Sequence, residues 1–177
     1  MNKYTPDNIA DIMAKWLELK PLHSLLEPSA GDGQLIKACK RICGGKKVDY
    51  CELDTKLSFN LFLATNDSVF RGGDFLADAT PLYDRIIANP PFEDDVWMAH
   101  LNKMWKCLAP KGILVCIIPR ESIIGDKEGY SKFQTAIKNL SLGQYASMKL
   151  ESKPVDNWYT NSNGTVTPIM IIKITKL

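Results

Sequence analysis

Residues 112–119, GILVCIIP, form a continuous apolar run bounded by a glycine and a proline. A strand with one face in water alternates apolar and polar residues. A run this unbroken reads instead as a strand buried on both faces, which requires a sheet with helices packed above and below it.

The remaining sequence supplies those helices in alternation with strands. After Tyr4, Thr5 is placed to cap a helix with Pro6 at its first position, and Ile9, Ile12, Met13, Trp16 and Leu17 fall on one face. HSLLEP is a short strand stopped by Pro28. SAGDG is a glycine-rich turn, and a second helix packs through Leu35, Ile36, Cys39, Ile42 and Cys43 until Gly44 and Gly45 end it. KKVDYCELD reads as a strand, LSFNLFLAT as a helix, SVFRGGDF and YDRIIANPPF as two more strands, and VWMAHLNKMWKCL as a helix. YSKFQTAIKNL is helical again. GQYASMKLE and TPIMIIKITKL have no helix between them and read as antiparallel strands joined by a polar loop around DNWYTNSNG. The expected architecture is α/β: a mostly parallel, doubly wound, Rossmann-like sheet ending in an antiparallel hairpin.

Composition narrows the class. With 177 residues, 45% hydrophobic and 24% charged, the chain is expected to form one compact soluble domain over residues 1–177. Five cysteines show no C-x-x-C pair, and His23 and His100 stand far apart, so no zinc-like metal site is expected. The odd cysteine count and the apolar neighbours of these residues favour reduced thiols and a cytoplasmic location. The N-terminus lacks an apolar signal region, and no stretch reaches the roughly 18 apolar residues that span a bilayer. A net charge of +2 permits a nucleic-acid partner without announcing one.

Ligands of such sheets bind beyond the carboxyl ends of the strands. Gly31 and Gly33 let the first turn approach a ligand closely. Glu27 and Asp32 put carboxylates where a phosphate binder would want none, which favours a cationic or amine-bearing ligand. Glu52 closes the second strand, from which a carboxylate can accept ribose hydroxyls; Asp54 competes for that role, and either could cap the following helix. Asp74 could accept from an adenine amino group and Phe75 could offer its face, or the pair could be a turn aspartate and a core phenylalanine.

Asn89 and the prolines Pro90 and Pro91 are expected to form a loop that presents acceptors and no donors. Acceptors suit a planar amino group whose delocalised lone pair makes it a poor nucleophile. If the Asn89 side-chain oxygen and the Pro90 carbonyl take its two N–H bonds, charge developing on nitrogen is stabilised and no strong base is needed. Phe92 would stack on the plane. The alternative is a rigid strand terminator. The following acids, Glu93 to Asp95, favour the start of the next helix.

With YTP, EPSAGDG, CELD, GGDF, NPPF and a terminal hairpin in this order, the chain resembles the S-adenosylmethionine-dependent amino-methyltransferases, and most closely the DNA adenine-N6 methyltransferases of the gamma arrangement. The resemblance covers nearly the whole chain and implies the Rossmann-like methyltransferase fold with S-adenosyl-L-methionine as cofactor. It also implies that Tyr4, Thr5 and Pro6 contact the methionine end of the cofactor, together with the loop holding Glu27, Pro28, Ser29, Gly31 and Gly33. Glu52 would hold the ribose, Asp74 and Phe75 the adenine, and Asn89, Pro90, Pro91 and Phe92 the target amine, with Asn89 also bordering the cofactor. Trp158 or Tyr159, in the last hairpin loop, would pack on a flipped base or merely on the hairpin.

The resemblance departs in one respect: no separate target-recognition domain is expected within residues 1–177. Flipping a base needs a grip on the strand. Arg120, Lys127, Lys149 and Lys153 are the candidates at the correct edge, whereas Lys37, Lys40, Arg41, Lys46 and Lys47 read as a solvated face. DNA is the expected partner, with RNA, a homodimer or a separate specificity subunit left open. Two competing readings stand beside it: a methyltransferase acting on an amino group in RNA or on protein glutamine, and a catalytically silent binding subunit.

Overall fold

A computed structural model describes residues 4–45, 47–65, 68–120, 134–138, 148–160 and 166–177. Seven strands form one sheet: β1 (Leu25–Glu27), β2 (Asp49–Cys51), β3 (Val69–Gly72), β4 (Tyr83–Ala88), β5 (Leu108–Pro119), β6 (Met148–Thr160) and β7 (Val166–Lys176), in the order β3-β2-β1-β4-β5-β7-β6. The first five pair in parallel, and β7 runs antiparallel to both β5 and β6. The chain order reverses beside β1, between β1 and β4, and there the carboxyl ends of the strands open a crevice.

The apolar run behaves as its pattern requires. Along β5, Ile113, Val115 and Ile117 enter one core cluster, while Leu114, Cys116 and Ile118 enter the other. The first cluster is completed by α1 (Asp7–Trp16) and α2 (Gln34–Ile42), the second by α4 (Val96–Cys107) through Trp97, Leu101 and Met104. Each fully buried aliphatic side chain contributes roughly 1.5–3 kcal/mol. A charge at Cys116 or Ile117, both completely buried, would cost more than several such contacts return.

Local details depart from the expected ones. Pro6, not Thr5, precedes α1: its φ of −61° and ψ of 150° are extended, so the helix begins one residue later, and its carbonyl receives the Ile9 and Ala10 N–H groups. Thr5 is thereby released from capping and turned inward, 5% exposed. Ile42 is solvent-facing because α2 ends there, in a turn closed by Gly45 N–H on the Lys40 carbonyl with both glycines at positive φ. Helix α3 (Thr55–Ala64) buries only Leu61, leaving Phe59, Phe62 and Leu63 outward. Trp158 and Tyr159 lie within β6, with Tyr159 in register with Thr167, rather than in the loop. Long antiparallel pairing carries β6 past the expected turn. Of the helix expected at 130–140, residues 134–138 are described and are helical.

All five cysteines are free thiols and four are buried, and among the described residues no helix is long and apolar enough to cross a membrane.

Candidate cofactor and target-amine site

The ends of β1, β2 and β4 and the turn after β3 converge on a cavity of about 610 Å³. Its walls include Tyr4, Thr5, Pro28, Ser29, Gly31, Glu52, Asp74, Phe75, Asn89, Pro90 and Pro91. Residues far apart in sequence thus meet at one place. Pro6, Glu27, Gly33 and Phe92 are not among the walls.

Gly31 and Gly33 shape the first wall. Gly31 has a φ of +55°, and a Cβ there would come within 3.1 Å of the Tyr4 ring, so the glycine lets Tyr4 lie against the turn. Gly33, at φ +83°, is the left-handed residue that launches α2, and it sits against Leu61.

The two candidate carboxylates after β2 have separate tasks in the fold. Asp54 Oδ1 accepts the Lys56 and Leu57 N–H groups, capping α3. Glu52 Oε2 accepts the Gly31 N–H at 2.7 Å and its Oε1 accepts the Asp54 N–H at 2.8 Å, which holds the carboxylate at the cavity wall.

Glu27 lies behind this wall, fully buried. Ser29 N–H donates to its Oε1 at 3.0 Å, and Oε2 is sealed from solvent with no partner. Burial, reinforced by the neighbouring Glu52 charge against the Ser29 hydrogen bonds, raises its pKa to about 8.

After β4 the acceptor loop is fixed from two sides. Ser29 Oγ donates to the Asn89 carbonyl at 3.2 Å, and Asn89 Nδ2 donates to Thr5 Oγ1 at 3.2 Å. The main-chain carbonyl of Asn89 is therefore occupied. With its amide nitrogen committed to Thr5, the side-chain oxygen points elsewhere, and Pro90 follows without an N–H of its own. Phe92 is half-buried and packs against both core clusters. Beyond it a 3₁₀ turn, Glu93–Asp95, holds Asp94 and Asp95 at φ of 52° and 58°, a left-handed conformation that costs a non-glycine residue on the order of 1 kcal/mol.

At the other end stand Gly73, Asp74, Phe75 and His100. Asp74 Oδ1 accepts the Leu76 N–H at 2.9 Å, closing a turn. Phe75 is 2% exposed, tilted against the His100 ring with centroids 5.4 Å apart, and Lys103 Nζ stands 5.1 Å from its centroid. His100 was not foreseen as a wall residue. It shares the inward face of α4 with Trp97, Leu101 and Met104, and a polar residue alone on an apolar stripe was the available signal. Leu53, Leu57, Gln34 and Glu93 also line the cavity.

Five wall residues are carboxylates (Asp32, Glu52, Asp54, Asp74 and Glu93), and among the described residues no lysine or arginine lines the cavity. Such a cavity repels phosphate and attracts cations. Of the basic residues on the expected solvated face, Lys37 and Lys40 bond main-chain carbonyls of Asp32 and Thr65, and Arg41 pairs with Asp11. Lys46 and Lys127 lie outside the described residues.

No family model matches the chain, and no curated protein matches it. Solved structures do. The type I restriction enzyme EcoKI M protein superposes with a TM-score of 0.74 at 13% identity over 98% of this chain. Precorrin-6y C5,15-methyltransferase from Geobacter metallireducens GS-15 gives 0.68 at 13% over the whole chain and 93% of its own. TrmN from Thermus thermophilus gives 0.65 at 20% over 97%. The chain spans 44% of the EcoKI M protein and 49% of TrmN. At these identities the likeness is one of fold, and the fold is the Rossmann-like methyltransferase fold, with its mostly parallel sheet ending in antiparallel strands.

Proposed function

We propose that this chain is an S-adenosyl-L-methionine-dependent methyltransferase acting on the exocyclic N6 amino group of adenine in DNA. The observation that carries the reading is the Asn89 side chain, anchored through Nδ2 to Thr5 at the cavity wall and followed by two prolines. That arrangement leaves two acceptors, the Asn89 side-chain oxygen and the Pro90 carbonyl, for the two N–H bonds of a planar amine. Accepting both bonds draws positive charge off the nitrogen as it develops and aims the lone pair.

The cavity fits the cofactor this chemistry needs. Its carboxylate-rich walls suit a sulfonium cation with an ammonium group, and its volume lies within the range of ordinary cofactor sites. Bound there, the cofactor would supply an electrophilic methyl group. Tyr4, Thr5 and the Pro28 to Gly31 turn would face its methionine end, Glu52 the ribose, and Asp74 with Phe75 the adenine. Asn89 and Pro90 would then orient the target, and the amine's surplus proton would leave to solvent after transfer.

A second reading keeps the mechanism and changes the target to a protein glutamine. Three consecutive acids beside the acceptor loop disfavour a phosphate backbone at that point and are indifferent to a neutral carboxamide. One experiment separates the two. Purified protein is incubated with labelled S-adenosylmethionine and duplex DNA, single-stranded DNA, RNA or a cell protein extract, and the products are digested and identified by mass spectrometry. N6-methyladenine in DNA supports the first reading; label in RNA or glutamine alone overturns it.

A further inference from the structure

His100 is 7% exposed, yet it forms part of the cavity wall. Its Nδ1 is sealed from solvent and bonded to nothing. A buried polar atom without a partner is uncommon, and a bare lone pair is tolerated better than a bare N–H. The proton therefore belongs on Nε2, on a ring that is part of the cavity wall. Burial is the main cause that lowers the ring's pKa to about 4, with Lys103 adding to it against the opposing pull of Asp74, so at neutral pH the ring is uncharged.

The same end of the cavity thus holds two groups of opposite character. Asp74 accepts, and one of its oxygens is already engaged by Leu76 N–H. His100 donates, and Phe75 packs against its ring, which limits its rotation. An acceptor beside a donor complements an amino group next to an acceptor ring nitrogen, the pattern adenine presents at N6 with N1 or N7 and cytosine shares. Guanine in the same placement would turn its O6 acceptor toward the Asp74 carboxylate.

We propose that His100 is a specificity residue of the cofactor site, donating its Nε2–H to a ring nitrogen of the adenine whose amino group Asp74 accepts. The inference rests on reading the cavity as an S-adenosylmethionine site and names a reader that the turn after β3 does not provide. It implies that adenine is distinguished by a side chain from α4, on the far side of the target loop in sequence, as well as by the GGDF turn.

The test uses binding alone. Calorimetry measures the affinity of the intact protein for S-adenosylhomocysteine and for its 1-deaza, 3-deaza and 7-deaza analogues, each with one ring nitrogen replaced by C–H. The wild-type protein is expected to bind one analogue about tenfold more weakly for want of the His100 bond. In His100→Phe the parent ligand should weaken by about the same factor and that analogue's penalty should vanish, while His100→Gln, which retains a donor, should keep it. Wild-type penalties surviving intact in His100→Phe would overturn the His100 role alone. Failure of the wild-type protein to bind S-adenosylhomocysteine would overturn the cofactor reading with it. Because His100 is buried, ¹⁵N spectra of the wild-type imidazole provide a check free of folding defects: Nε2 should shift as a protonated donor on titration, and an unmoved or unprotonated Nε2 would also overturn the proposal.

Discussion

Glu52 grips Gly31: the carboxylate at the end of β2 takes the main-chain N–H of the turn after β1 at 2.7 Å. One side chain therefore fixes the cavity wall and belongs to it. Glu52→Ala should raise the dissociation constant for S-adenosylhomocysteine by tenfold or more, losing both a ligand contact and the posture of the turn. Asp54→Ala should instead cost about 1 kcal/mol of stability through the lost cap on α3 and leave affinity within a few-fold. Calorimetry and urea melts on the two variants check the division, and equal loss of affinity would refute it.

Asn89 and Thr5 form the second such pair. Asn89→Ala should reduce methyl transfer by 10²–10³-fold or more, the scale of losing a charge-stabilising group, while cofactor affinity changes little. Thr5→Val keeps the shape and removes the hydroxyl that orients the amide. Its turnover should fall less, and KM for the target should rise. Single-turnover rates with saturating cofactor measure both effects.

The sheet was legible because its period is local: an unbroken apolar run can be buried only between two helical layers, and β5 divides its side chains between them. Glu52 and Asp54 were not separable, since both follow the same strand and only the path of the backbone decides which one turns to Gly31. His100 was hidden by its neighbours, since a lone histidine on an apolar helical stripe reads as core until the cavity behind it is visible.

Gly33 should tolerate no side chain. A Cβ would lie 2.3 Å from Leu61 Cδ2, and the φ of +83° is one that L-residues resist. Leu61 is the buried anchor of α3, so relieving the contact displaces the helix that carries Leu57 to the cavity wall. Gly33→Ala is expected to cost on the order of 1–3 kcal/mol and to weaken ligand binding, whereas Gly44→Ala, with open space around its Cβ, should cost about 1 kcal/mol and leave binding alone. Thermal melts and calorimetry distinguish the pair.

Glu27 makes stability depend on pH in a direction opposite to that of an ordinary salt-bridged carboxylate. Its folded pKa of about 8 lies above the ordinary glutamate value of 4.5, because burial penalises the charge. Between those values the folded chain holds a proton that the unfolded chain has released, so raising the pH favours unfolding. The stabilisation is fully present below about pH 4.5 and is lost as the pH rises through 8, with a slope on the order of 1.4 kcal/mol per pH unit at most. Glu27→Gln, neutral at every pH, should flatten this contribution. Its urea midpoint should change less than that of the wild type between pH 6 and pH 8.5 and should exceed it at the upper end. Parallel curves for the two proteins would mean that Glu27 is ionised in the folded state across the whole window, and that its unpartnered oxygen has found a donor.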